Sequence, residues 1–130
     1  NNVKCVLSLN GNALMKEFLK TLLATFDQSV IDYKAYLAAG KTFRYAQVLK
    51  ANNGKALQLL DEHKATLPGF LLQDAEALIE HYVVWTQKWK ELAERLQPGT
   101  DDEFVFPNTV TFPRESATRL QAFYEELTGS

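Results

Sequence analysis

The sequence predicts an all-α, antiparallel up-down four-helix bundle with a long extended connection before a short last helix, and three observations carry that prediction. Between Leu71 and Leu96 an apolar or aromatic residue recurs at every step of a 4,3,4,3 spacing: Leu71, Ala75, Leu78, Tyr82, Trp85, Trp89, Leu92 and Leu96. That is the mark of a long helix with one buried seam. Two tight connections, at Gly40-Lys41 and Pro68-Gly69, leave no room for a crossover, so the first three helices are read as antiparallel neighbours. Finally, 130 residues that are 46% hydrophobic and 23% charged suffice for one buried core, so residues 1–130 are read as a single domain.

At the N-terminus Val3, Cys5, Leu7 and Leu9 alternate with Lys4, Val6 and Ser8, which suits a short extended segment or a frayed helical lead-in over residues 1–11. Asn10-Gly11-Asn12 punctuates the chain, and Asn12 is placed to cap a helix that starts about Ala13. The expected seam of this first helix is Met15, Leu19, Leu23, Phe26, Val30, Tyr33 and Leu37, widened by Leu14, Phe18 and Leu22. It ends near Ala39, where Gly40 supplies a left-handed cap.

Thr42 is the expected cap of a second helix running to about Thr66, with Tyr45, Leu49, Ala56 and Leu60 on its buried side and Leu67-Pro68-Gly69 as its stop. Asn52-Asn53-Gly54 lowers its helix propensity by roughly 2 kcal/mol relative to alanine, so a kink or a break there is the alternative. The third helix, about Phe70 to Gln97, carries Glu91 and Arg95 as an i,i+4 pair on its wet side and stops at Pro98-Gly99.

The acidic turn Thr100-Asp101-Asp102-Glu103 then leads into Phe104-Val105-Phe106-Pro107-Asn108-Thr109-Val110-Thr111-Phe112, which reads as extended chain with Phe104 and Phe106 on one side. Pro113 opens the last helix, Glu115 faces its positive end, and Ala117, Leu120, Tyr124 and Leu127 form its buried stripe.

A net charge of −2 and a pI near 5.7 give no global attraction to polyanions. The charge is uneven. Residues 1–68 carry nine Lys/Arg against five Asp/Glu, a balance of +4, while residues 69–130 carry five against eleven, a balance of −6, so the halves attract each other. The lone Cys5 has no disulfide partner, which fits a reducing compartment and a cytoplasmic location. No apolar run approaches the roughly 18 to 20 residues of a membrane span, and no secretory signal pattern is present, so no membrane partner is expected. A start at Asn1 rather than Met is consistent with one part of a longer protein.

Chemistry-bearing motifs are sparse. Tyr82, Trp85 and Trp89 have seam spacing and read as packing rather than a cofactor wall. Glu76, Glu80 and His81, and Asp61, Glu62 and His63, invite a metal test, but the residues three before the histidines are Leu78 and Leu60, so the Glu-x-x-His pairs of a di-metal bundle are missing. HExxH, HxxxH, paired CxxC, the Gly-x-Ser-x-Gly elbow and phosphate-cradling glycine loops are likewise missing. No catalytic, cofactor-binding or metal residue is assigned, and no small-molecule substrate is identified.

Two candidate sites remain. Lys41, Arg44, Lys50 and Lys55, interleaved with Phe43 and Tyr45, form the one basic cluster and suit phosphate contacts. Phe104, Val105, Phe106, Pro107, Val110 and Phe112 make the long connection more apolar than a loop needs to be. These side chains either cap the helical layer or dock a partner edge to edge or in a groove. The expected function is non-enzymatic: a protein-interaction or assembly module, self-associating or part of a larger system. A nucleic-acid-binding bundle is the alternative, and a metal-dependent enzyme of unrecognised type the second.

Overall fold

The computed structural model describes the backbone of residues 2–129 and the side chains of residues 12–129. It is an all-α bundle of four helices packed against one another: α1 (Asn2–Ala38), α2 (Phe43–His63), α3 (Gly69–Leu96) and α4 (Arg114–Thr128), with a single 3-10 turn at Lys64–Thr66. α1 packs on α2 and α4, α2 on α3, and α3 on α4, so the four close a ring around the core.

α1 begins at Asn2, so Asn12 lies inside the helix rather than capping it and residues 3–9 are helical in backbone rather than extended. The expected side-chain alternation of Val3, Cys5, Leu7 and Leu9 lies outside the described residues. At the other end, Gly40 takes a positive φ of 83°, as the cap requires, and Lys41 follows it at 60°.

Thr42 is the N-cap residue of α2 but makes no side-chain cap bond. The free N–H groups of the first turn are satisfied from across the chain instead. Phe43 N–H donates to the Asp102 carbonyl at 2.8 Å and Arg44 N–H to the Thr100 carbonyl at 2.9 Å, while Phe104 N–H donates to the Lys41 carbonyl at 2.9 Å. The acidic turn thus caps α2 with its backbone, and the exposed Arg44–Asp101 ion pair at 3.6 Å joins the basic and acidic halves at the same place.

α2 runs unbroken through Asn52-Asn53-Gly54. Asn52 Nδ2 donates to the Thr25 carbonyl at 2.9 Å and to Ser29 Oγ at 2.7 Å, both on α1. Two interhelical hydrogen bonds offset the propensity that asparagine lacks, because each contributes about 1 kcal/mol net. α3 matches its expected span to one residue at each end. Gln97, at φ 44°, supplies the left-handed cap, and Glu91 accepts from Gln87 rather than pairing with Arg95. Pro113 sits at the N-cap of α4, one residue before the helix proper.

The core falls into two clusters. In the first, Met15, Phe18, Leu19 and Leu22 of α1 meet Ala56 and Leu60, Leu71 to Tyr82, and Leu120 of α4. In the second, Tyr36, Ala46, Leu49, Trp89 and Leu92 surround Phe104. Here α4 is absent and the segment around Phe104 fills the place of a fourth helix.

α4 leaves that place empty because of where it starts. Ser116 and Arg119 contact Asp74, and Phe123 contacts Phe70, so α4 runs from its start toward the beginning of α3. With 15 residues against the 37 of α1, it covers only part of its neighbour.

Candidate interaction surface

The connecting segment descends along α3 one aromatic ring at a time. Phe104 is 1% exposed. Its ring lies 5.1 Å from those of Phe43 and Trp89, and its carbonyl accepts a hydrogen bond from the Tyr36 hydroxyl. Burial raises the pKa of that hydroxyl above its ordinary value, with Tyr33 and Glu103 adding to the effect, so Tyr36 remains a donor. The half-buried Phe106 ring lies 5.6 Å from Trp85. Further down, the Val110 carbonyl sits 2.8 Å from His81 Nδ1, and Phe112 packs edge-on to Phe26 at 5.5 Å and to His81 at 5.4 Å.

Of the six residues expected to dock a partner, Phe104 is therefore core, and Phe106 and Phe112 spend their rings on α3 and α1. Val105 points outward at 48% exposure, Pro107 is exposed and Val110 is half-buried. The strand-like alternation sends phenylalanines in and valine out, so a docking face made of the rings does not form.

The basic cluster is dispersed in the same sense. Arg44 pairs with Asp101, and Lys50 Nζ lies 4.7 Å above the Trp89 ring, a cation–π contact; among the described residues Lys41 and Lys55 have no such partner. The indole N–H of Trp89 donates to the Ala46 carbonyl at 3.0 Å, which settles its one polar atom inside the core.

His81 and Glu76 of α3 are bound up in structure. His81 is buried beside Tyr82 and Phe112, and burial lowers its pKa despite the pull of the Val110 and Thr111 backbone. Glu76 pairs with Lys64 at 3.0 Å, and among the described residues no cluster of three His, Cys, Asp or Glu side chains could hold a metal.

A polar clasp between α3 and α4 is legible only in three dimensions. Asp74, 6% exposed, accepts from Arg119 Nε at 3.0 Å, from Arg119 Nη2 at 2.8 Å and from Ser116 Oγ at 2.9 Å. The Arg119 hydrogen bonds hold its carboxyl below the usual range against the opposing effect of burial.

A flank of α1 is left uncovered. Leu19, Leu23, Phe26, Val30, Tyr33 and Leu37 form one continuous 4,3,4,3,4 stripe. Leu19 and Leu23 are buried and Phe26 is covered by Phe112, but Val30, Tyr33 and Leu37 are 55%, 52% and 44% exposed. Their inclusion in the buried seam is thus corrected: in this half of α1 the inward positions are Thr25, Asp32 and Tyr36. The physical reason is the short reach of α4, which stops covering the stripe where Phe112 meets Phe26. Among the described residues no helix is long and apolar enough to cross a membrane. The length difference between the first and last helices was the available sequence signal.

Comparison with protein-family models, with curated proteins and with solved structures gives no match for this chain.

Proposed function

We propose that this protein is a non-enzymatic interaction or assembly module whose contact surface is the outer flank of α1 at Val30, Tyr33 and Leu37, bordered by Val105. The observation that carries the reading is the stripe itself. It continues the buried seam of α1 in register, yet three large apolar side chains on it are about half exposed. Val105, 48% exposed, follows Phe104, whose carbonyl accepts a hydrogen bond from Tyr36 of the same helix. The engagement of His81 and Asp74 in buried structural contacts supports a non-catalytic role. A cytoplasmic setting belongs to the same reading, on the strength of a single cysteine, Cys5, in the sequence. Nucleic-acid binding finds less support, because Arg44 and Lys50 already have partners within the chain.

A photo-crosslinking residue placed at Tyr33, in the cells that make the protein, tests the surface against the same residue at Gln121, an exposed polar position of α4. The proposal expects crosslinked products at position 33 well above those at 121. Equal yields at the two positions would refute it.

A further inference from the structure

Resting on the reading of the α1 flank as a contact surface, we infer that its occupant is a second copy of this chain, packed antiparallel so that Asp27 of each copy faces Lys34 of the other. Asp27 and Lys34 are exposed, lie two helical turns apart on the same outer edge of the Val30–Tyr33–Leu37 stripe, and form no ion pair or side-chain hydrogen bond within the described chain. Residues spaced 4,3,4 pack against an antiparallel helix in layers that pair one position type with the other. A two-fold axis between Ile31 and Asp32 sets Val30 of one copy over Tyr33 of its partner, and the reciprocal layer follows by symmetry.

The same operation sets Asp27 opposite Lys34 twice. In a parallel arrangement the outer edge of one copy would instead lie against the uncharged inner edge of the other, so neither charge would meet its complement and the edge favours the antiparallel direction. On the inner edge the corresponding positions are Ser29, which accepts from Asn52, and Tyr36, which is committed to Phe104, so no charge there opposes the pairing. The apolar stripe from Val30 to Leu37 is only about 10 Å long. That is less than the ~800 Å² per partner of a stable interface calls for, so the dimer is a weak one that appears with concentration.

Sedimentation equilibrium on the purified chain, up to ~1 mM, reads the outcome directly. The wild-type mass should rise with concentration from 14.7 kDa toward twice that value. Asp27→Lys and Lys34→Asp should each weaken association roughly tenfold, since two exposed pairs change from attraction to repulsion. An equimolar mixture of the two variants should recover it, because each supplies the charges the other lacks. Both positions are exposed, and unchanged helical circular dichroism confirms that the variants fold.

A constant 14.7 kDa across the range overturns the inference. So does a dimer indifferent to both reversals, or a mixture that stays monomeric. If position 33 crosslinks to another protein while the purified chain remains monomeric, the second-copy inference fails and the contact-surface reading stands. Absence of crosslinks at 33 removes both.

Discussion

Replacing Phe104 by alanine separates a core role for the connecting segment from a docking role. The ring is 1% exposed, with Phe43 and Trp89 each 5.1 Å away and Phe106 at 6.1 Å. Truncating a buried phenylalanine costs about 3 to 5 kcal/mol, the transfer term plus the cavity left behind. Loss of edge-on aromatic contacts, each contributing about 0.5 to 1.5 kcal/mol, puts this site toward the upper part of that range. Collapse around the cavity is limited, because the segment is pinned by the Phe104 N–H to Lys41 bond and by the Tyr36 hydroxyl.

The expected loss is therefore about 4 kcal/mol, a large share of the ~5 to 15 kcal/mol that holds a domain together. For a chain of this size it lowers the melting temperature by about 15 °C. Urea denaturation followed by helical circular dichroism measures it, with Val105→Ala, half exposed, as the control expected to lose no more than about 0.5 kcal/mol. A Phe104→Ala variant that loses less than about 1 kcal/mol, or no more than Val105→Ala, would refute the assignment of this ring to the core.

Asn52→Ala should destabilise by about 1 kcal/mol despite the better helix former, since it removes two bonds to α1, whereas Asn53→Ala should stabilise by a few tenths; paired urea curves decide it. Burial holds the folded pKa of His81 below its unfolded value, so the unfolded chain takes up the proton first. Stability is complete above about pH 6.5 and declines as pH falls through that value toward the folded pKa, and His81→Gln should remove this component. The Asp74 carboxyl is shifted down by Arg119. Its contribution is present above the ordinary carboxylate range near ~3.9 and is lost as pH falls below it; in Arg119→Gln the carbon shift of Asp74 should titrate at higher pH, and an unchanged titration would discount the clasp. Tyr36→Phe should lower stability by about 1 kcal/mol, reading the single bond to the Phe104 carbonyl by urea titration.

The parts of this fold that could be read in the sequence are those fixed by local periodicity. Leu71, Ala75, Leu78, Tyr82, Trp89 and Leu92 are buried as their spacing requires, and α3 begins and ends within a residue of its signals. Leu96, the last member of that series and the last residue of α3, is exposed. Features that depend on a distant partner were hidden. Asn52 looks like a helix breaker until Thr25 and Ser29 are seen beside it, and Asp74 looks like a solvated acid until Arg119 and Ser116 close on it.

Thr42 has the composition of a side-chain cap, yet the backbone of the acidic turn reaches α2 first. The connecting segment admitted two readings for a related reason. Aromatic residues in a connection signal burial or docking equally, and only the empty place left by a short α4 decides for burial. The stripe through Val30, Tyr33 and Leu37 follows the core spacing, and nothing local marks where its cover ends.

The claim on which the account turns is that Phe104 and Tyr36 face inward while Tyr33 faces outward to a contact. Hydroxyl-radical footprinting read by mass spectrometry measures all three in one digest. The expected result at low concentration is rapid oxidation of Tyr33 with Tyr36 and Phe104 protected, and progressive protection of Tyr33 alone as concentration rises. Phe104 oxidised as fast as its neighbour Val105, or Tyr33 as protected as Tyr36 in dilute solution, would contradict it.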